Sequence, residues 1–334
     1  MSGPPSGSAA LLIKALREPK KAISYSACYL IYAIKRLWVR DYIVVRPERP
    51  DRPHLLWKLA MLSGYEMVDE GTAARRAPRR PPLAGVYHSD TTKEAFHEPD
   101  LVNGTCSDIS KMHVDQVFQP VFGYSIMIDP TRHAGAAVRK SNENAKHDGR
   151  IIQCPIDSKE LDDHYVYQKL IDNTVDSLHT RDLRVMVVGG IALGVIDKHR
   201  KIDCRFRDTE MTWSTIKAVN EIFSAEEIDK IYQFCRNIGL EVGELDILRD
   251  KSDSKVYIVD ANKTSNFLSG YIRLDRFMLA YQGARRLQQY LKLRRRSGPV
   301  PPVGSSVAEG TRGRSSVGRS IYSTERAGSH RRIA

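Results

Sequence analysis

The chain has 334 residues, of which 41% are apolar and 28% charged, and its formal charge at pH 7 is +12. This length and apolar content allow a large core in one or two domains and exclude a miniprotein that depends on disulfides. The five cysteines lie far apart and lack C-x-x-C spacing, so we expect no structural zinc and a reduced compartment, the cytoplasm.

The N-terminal segment is basic. Glu18 is the only acid among the first forty residues, which contain several Lys and Arg. We predict a helical segment over residues 1–39, and its composition fits an ordinary amphipathic helix as well as a transit or surface-binding segment. Its longest apolar run, Ala22 to Ile34, is shorter than the ~18 residues that a membrane-spanning helix needs. We therefore expect no transmembrane segment.

Residues 40–100 carry a short α/β pattern. The segment DYIVVRP (41–47) predicts a strand, residues 53–64 predict a short helix, and EMV and GVYHSD predict two further short strands. The stretch GTAARRAPRRPP (71–82) is rich in Pro and Arg and predicts a mobile loop. Together these elements indicate a small α/β domain.

Residues 101–293 are denser in predicted elements. A helix is predicted to begin at Ser107 or Asp108 as N-cap, with Lys111 and Phe118 on one face. Apparent strands follow at 124–129, 135–140, 165–171, 184–190 and 191–197. This pattern is typical of an antiparallel, strand-rich unit.

The C-terminal third contains a strongly marked helix and a hairpin. Ser224 and Glu227 form a capping box, and Gly239 stands where a helix stop belongs, so a helix of ~14 residues is predicted. Strands at 241–248 and 255–262 are joined by a turn, and a last helix is predicted over 273–296. The tail, 294–334, holds nine Arg against two Glu. We expect it to be disordered, either simply solvated or in contact with nucleic acid or an anionic surface.

The hairpin carries a cluster of oxygen-bearing side chains. Strand alternation predicts that Asp260 and Asn262 share a face with Ile258. A turn centred near 251–253 would place Asp246 opposite Ile258 and Glu244 opposite Asp260. Facing carboxylates destabilise a hairpin unless they are neutralised, and hard oxygen ligands suit Mg²⁺. A solvated hairpin whose acids pair with Lys or Arg remains the alternative.

Three upstream cations can meet phosphates. Lys111 lies on a predicted helix, Lys140 ends the strand GAAVRK, and Arg184 begins the strand RVMVVGG. The polar loop SNENAKHDG (141–149) follows Lys140, and its backbone amides could fold over phosphates. Each feature alone also fits an ordinary solvated surface.

The order and spacing of these segments resemble the ATP-grasp superfamily of carboxylate–amine ligases, which includes D-alanine:D-alanine ligase and glutathione synthetase. The resemblance covers about residues 101–290. It implies an α+β fold in which two α+β subdomains clasp ATP, preceded by a short α/β pre-ATP-grasp domain over 40–100. The ATP-grasp domain would span 101–293 and the basic tail 294–334.

The resemblance also implies roles for individual residues. The implied metal ligands are Asp246, Asp260 and Asn262, for Mg²⁺ or Mn²⁺. The implied nucleotide-binding residues are Lys111, Lys140, His147, Asp148, Gly149, Gln168, Lys169, Leu170, Ile171 and Arg184. Among these, Lys140 and Arg184 would be catalytic, and residues 168–171 would form the hinge whose backbone pairs with adenine. The loop 141–149 has fewer glycines than the phosphate loop of the family.

Weaker candidates are Arg205, as a second phosphate contact or a salt-bridged strand residue, and Asp172 or Asp176, as ribose ligands. The implied reaction is Mg-ATP-dependent activation of a carboxylate as an acyl phosphate, which an amine or thiol captures. The acceptor, a small molecule or a peptide, is not identified by the sequence. A small-molecule kinase on the same fold and a non-catalytic nucleotide- or RNA-binding protein are the alternatives.

Overall fold

The computed structural model describes residues 19–206, 211–266 and 274–297, with the backbone alone for 19–24 and 297. The N-terminal part is built around a parallel four-stranded sheet of order β2-β1-β3-β4. Its elements are α1 (Pro19–Lys35), β1 (Tyr42–Pro47), α2 (Leu55–Ser63), β2 (Glu66–Val68), α3 (Glu70–Arg76), β3 (Ala84–His88) and β4 (Leu101–Val102).

A small antiparallel sheet of order β6-β5-β7 follows. Its elements are α4 (Lys111–Phe122), β5 (Gly135–Ser141), β6 (Arg150–Cys154), a 3₁₀ turn (Ser158–Glu160) and β7 (Tyr165–Lys169). Strand β5 pairs with both neighbours over residues 137–139, and its last two residues, Lys140 and Ser141, pair with β7 alone.

A larger antiparallel sheet has the order β10-β9-β8-β11-β12. Its elements are β8 (His179–Val188), β9 (Ile191–Lys201), a 3₁₀ turn (Ile202–Cys204), β10 (Trp213–Lys217), α5 (Val219–Ile222), α6 (Ala225–Ile238), β11 (Val242–Arg249), β12 (Val256–Asn262) and α7 (Leu274–Ser297). The predicted α+β class is confirmed, because two antiparallel sheets with their own helices follow a parallel α/β piece.

The two faces of the larger sheet have different neighbours. On one face, Val185, Leu245 and Ile247 share a buried cluster with side chains of α4 and α6. On the other face, Met186 and Val188 pack with residues of α2 and α7. The remaining part of that second face is polar, and it forms the wall of the cleft described below.

Local signals account for the best-predicted helix. The Ser224 hydroxyl accepts a hydrogen bond from the Glu227 amide at 3.2 Å, and a Glu227 carboxylate oxygen accepts one from the Ser224 amide at 2.9 Å. Gly239 ends α6 with a φ of 78°. A capping box and a left-handed glycine therefore delimit α6 as predicted.

Three predictions about elements were wrong. Residues 71–82 do not form a loop throughout, because α3 occupies their first part, capped by Asp69, which accepts from the Thr72 amide at 2.7 Å. Helix α4 is capped by Ser110 and not by Ser107 or Asp108. Residues 124–129 form no strand, since only one bridge, Met127 to Gln168, is present in this described segment.

Candidate active site

The register of the acidic hairpin differs from the prediction. Asp246 lies directly opposite Asp260, and Glu244 lies opposite Asn262. The pairing next to the turn differs from the prediction by one residue, and a bulge between Asp246 and Ile247 shifts it by one more. The bulge also separates Ile258, which lies in the core, from Asp260 and Asn262, which line a cavity. The predicted shared face of Asp260 and Asn262 is thus found, whereas the placement of Ile258 with them was wrong.

The acidic pair has the properties of an incomplete cation site. One carboxylate oxygen of Asp260 is buried and has no hydrogen-bond partner among the described residues. Burial raises the pKa of Asp260, Lys111 and Lys140 oppose this shift, and Asp246 adds to it. Within the described ranges, no three His, Cys, Asp or Glu side chains form a complete metal site. Two carboxylates and an amide oxygen fit Mg²⁺, which takes its remaining ligands from phosphates and water.

Arg184 lies beside the acidic pair. It stands opposite Asp246 in the β8–β11 pairing, and its Nε is 3.1 Å from an Asp246 oxygen. Its Nη1 is 3.3 Å from Glu244 Oε1, while Glu244 Oε2 accepts a hydrogen bond from the Ser265 hydroxyl at 3.0 Å. Burial raises the pKa of Glu244 to about 7, although Arg184 opposes this shift. Glu244 and Asp246 therefore hold the Arg184 guanidinium together.

Lys140 connects the two antiparallel sheets across the cleft. It lies near the end of β5, and its Nζ donates to the Val259 carbonyl of β12 at 3.3 Å. Burial lowers the pKa of Lys140 to about 8, and Asp260 opposes this effect. Lys140 is thus a cation next to the acidic pair, on the side that belongs to the small sheet.

Lys111 is the first residue of α4 and is buried. Its Nζ donates to the Glu143 carbonyl at 2.6 Å and lies 3.3 Å from the Asn144 side-chain oxygen. Asn144 in turn donates to the Ala261 carbonyl at 3.0 Å. Lys111 therefore anchors the β5–β6 loop close to β12.

The β5–β6 loop adopts glycine-like conformations without many glycines. Ala145 and His147 have φ values of 59° and 50°, in the left-handed region that glycine favours. Asp148 accepts a hydrogen bond from the Ser141 amide at 2.9 Å, so its side chain closes the loop. Gly149 lies against Phe206, since an added Cβ would be 2.8 Å from that ring. Left-handed residues in a loop are typical of backbone nests for anions.

The predicted hinge borders an adjoining cavity of about 140 Å³. Gln168 to Ile171 all line it, together with Lys140 and Asp246. The Leu170 amide and carbonyl form no hydrogen bond with the described part of the chain. The Lys169 ammonium is 2.7 Å from Asp250, so it is already paired. Leu170 therefore offers the free backbone groups that a planar base could use.

The cavity lined by Asp260 and Asn262 has a volume of about 300 Å³ and shares Asp246 with the 140 Å³ cavity. Asp246, Asp260 and Asn262 form one wall, and His54 and Asp90 come from the N-terminal part. The Asp51 amide donates to His54 Nδ1 at 2.9 Å, so a neutral His54 ring carries its proton on Nε2. This cavity thus combines a donor, His54 Nε2, and an acceptor, the Asp90 carboxylate, beside the candidate metal ligands. The sequence alone predicted no role for either residue.

Sequence reasoning also missed charged groups on the same sheet face. Asp182 lies two residues before Arg184, lines the smaller cavity and is 3.0 Å from Arg200. Burial raises the pKa of Asp182, and Arg200 opposes the shift. Lys198 stands opposite Asp182 in the β8–β9 pairing and is buried. Strand alternation could have identified Asp182, whereas Lys198 requires the pairing register.

The weaker candidates have different surroundings. Arg205 follows a 3₁₀ turn and not a strand, and it lines both the 140 Å³ cavity and a wider opening of about 740 Å³. Asp172 borders that wider opening but accepts hydrogen bonds from Thr174. Asp176 accepts from the Leu178 and His179 amides. A ribose contact by Asp172 therefore stays a prediction.

No protein-family model and no curated protein sequence matches the chain. Among solved structures, the ATP-grasp ligase PsnB with its minimal precursor is 13% identical, with a TM-score of 0.49 over 75% of this chain and 99% of that chain. D-alanine–D-alanine ligase from Bacillus anthracis complexed with ATP is 12% identical, with a TM-score of 0.43 over 78% of this chain and 100% of that chain.

The macrocyclase MdnC bound with precursor peptide MdnA, from Microcystis aeruginosa, is also similar. It is 13% identical, with a TM-score of 0.41 over 72% of this chain and 98% of that chain. These identities and TM-scores describe a distant structural similarity. The roles of the site residues therefore rest on the contacts of this chain itself.

Proposed function

We propose that this chain is a Mg-ATP-dependent ligase of the ATP-grasp type, which activates a substrate carboxylate as an acyl phosphate for capture by an amine or thiol. The observation that carries the proposal is the pair Asp246 and Asp260, which face each other beside Arg184 and Lys140. Facing carboxylates next to two cations suit a metal-bound polyphosphate.

Each side chain has a role in this proposal. Asp246, Asp260 and Asn262 would hold Mg²⁺, which neutralises charge on the phosphates when bound. Lys140 would contact the phosphates from the small sheet, and Arg184 would stabilise the transferred phosphoryl group. These groups act mainly by positioning and electrostatics, so the reaction needs no general base among them.

The base and the phosphates would occupy different parts of the cleft. The 140 Å³ cavity, with the unpaired Leu170 backbone, would receive adenine, and the loop 141–149 would cover the phosphates. The 300 Å³ cavity, with His54 and Asp90, would then be left for the carboxylate substrate and its acceptor. Its size suits a small molecule or the end of a peptide.

Hydroxylamine trapping tests the reaction. The protein is incubated with Mg-ATP, hydroxylamine and pooled amino acids, other carboxylic acids, sugars or short peptides, and products are identified by mass spectrometry. A hydroxamate together with ADP and phosphate supports acyl phosphate formation. A stable phosphorylated sugar or polyol, without hydroxamate, would identify a kinase. If Mg-ATP neither raises the melting temperature nor is hydrolysed, both enzymatic functions are excluded.

A further inference from the structure

Helix α1 has two apolar faces, of which only one is packed. Its inner face buries Cys28 and places Tyr25 and Tyr29 edge-on against Trp57, at ring-centroid distances of 5.8 and 5.4 Å. Its outer face exposes a second set of large apolar side chains. These are Leu30 (62% exposed) and Ile34 (45%), and the turn that follows α1 adds Leu37 (71%) and Trp38 (64%).

The exposed side chains form one stripe. The spacing i, i+4, i+7 and i+8 places them on a single side of a helix. The helical course continues past Lys35, since the Val39 amide donates to the Lys35 carbonyl at 2.8 Å. Scattered exposed leucines are ordinary, but a continuous apolar stripe marks an interaction surface. We call residues 30, 34, 37 and 38 the outer stripe.

The charge of the helix selects the partner. Residues 19–40 contain five Lys or Arg and no Asp or Glu, and one of the five, Arg36, is paired with Glu66 at 3.2 Å. Two copies of α1 packed through the outer stripe would bring like charges together, which opposes self-association. An anionic lipid surface would accept the apolar side chains and attract the basic ones. Trp38 at the end of the stripe is a residue that favours the membrane–water interface.

We propose that α1 binds the surface of anionic membranes through the outer stripe, lying in the interface without crossing it. No helix in the described ranges is long and apolar enough to span a bilayer. This binding surface is independent of the proposed ligase activity, because the outer stripe lines none of the cavities around the acidic hairpin.

Vesicle binding by the full chain tests the proposal. The protein is mixed with phosphatidylcholine vesicles that contain or lack phosphatidylglycerol, and partition is measured by co-sedimentation. We expect binding to the anionic vesicles only, weakened by salt. The double substitution L30S/L37S should lower the partition coefficient about tenfold or more. The matched control is L178S, since Leu178 is 66% exposed but lies outside α1.

Tryptophan emission shows which surface makes contact. Trp38 should shift to the blue on anionic vesicles, and W38F should lose this shift while still co-sedimenting. The basic tail contains no tryptophan, so vesicle binding by the tail alone would leave the emission unchanged. Binding that L30S/L37S does not weaken would overturn the proposal. Absence of vesicle binding, with a dimer in light scattering that L30S/L37S dissociates, would instead identify a second copy as the partner.

Discussion

Asp260 is the residue on which the metal site depends most directly. One oxygen of its carboxylate is buried without a hydrogen-bond partner in the described part of the chain, and the residue pairs with Asp246 across the hairpin. Asp260→Asn keeps the shape while removing the charge. We expect D260N to lower ATP turnover about 100-fold or more at fixed Mg²⁺. The loss of a metal ligand should lower the affinity for Mg²⁺ at least as much as the loss of a residue that supports a ligand. The control is D229N, an exposed carboxylate on α6. Equal turnover in the two variants, both folded by circular dichroism, would remove the metal assignment.

Glu244 is expected to act through Arg184 and not on the substrate. In E244Q, the guanidinium loses its ion pair with Glu244 and keeps the one with Asp246, so it competes with Mg²⁺ for that residue. We expect kcat to fall about tenfold and the Mg²⁺ requirement to rise, with the KM for ATP nearly unchanged. Ser265→Ala, which removes the hydrogen bond to Glu244 Oε2, should have a smaller effect of the same kind. A change in melting temperature alone would mean that Glu244 is only structural.

His88 makes stability depend on pH. Burial lowers its pKa from 6.5 to about 4, with His54 as a further cause, and both ring nitrogens are unpartnered among the described residues. The unfolded chain binds the proton more readily, so stability is present above pH 6.5 and is lost as the pH falls towards 4. The loss between pH 7 and 5 should be about 2 kcal/mol.

Denaturant unfolding of wild type and His88→Phe at both pH values measures this contribution. The variant keeps an aromatic ring beside His54, whose ring centroid is 4.9 Å away. It should lose about 2 kcal/mol less stability than wild type between pH 7 and 5. An identical pH dependence in the two proteins would show that His88 does not titrate in this range.

At the scale of elements, the end of α6 depends on a close contact as well as on backbone conformation. Gly239 has a φ of 78°, and an added Cβ would lie 2.4 Å from Thr105 Oγ1. Gly123, which ends α4, has a φ of 85° but no atom within 4 Å of an added Cβ. Gly123→Ala should therefore cost about 1 kcal/mol of unfolding free energy, from backbone strain alone.

Gly239→Ala should cost at least about 2 kcal/mol, because Thr105 must also move. Chemical denaturation of both variants gives the comparison. The difference between them isolates the steric contact, since both glycines occupy the same left-handed position after a helix. Equal losses would mean that the segment before α4 adapts freely to an added methyl group.

At the scale of the whole molecule, the cleft is made by two sheets, and a ligand in it should order both. Hydrogen exchange with and without a non-hydrolysable Mg-ATP analogue tests this. We expect slower exchange in the loop 141–149, at Leu170 and in β12, and we expect EDTA to reverse it. Protection of the wider opening near Asp172 alone, with no effect in β12, would indicate a nucleotide that does not reach the acidic hairpin.

Much of this molecule follows from short-range signals. The capping box of Ser224 and the stop at Gly239 determine α6, because both act within a few residues of chain. Strand alternation correctly places Asp260 and Asn262 on one face. The α+β class was implied by the resemblance to ATP-grasp ligases, and the two antiparallel sheets with their helices confirm it. The resemblance to ATP-grasp ligases directed attention to Lys140 and Arg184, whose roles stay predictions.

Tertiary structure decided the features that require contact between distant segments. Asp246 faces Asp260 because the register next to the turn differs from the prediction by one residue and a bulge beside Asp246 shifts it by one more. Arg184 pairs with Asp246 because β8 and β11 are neighbours in the sheet. Lys140 reaches Val259 only because two separate sheets meet at the cleft. Strand pairing and the walls of the cavities depend on which faces of the sheets are buried. No local pattern in the sequence predicts that burial.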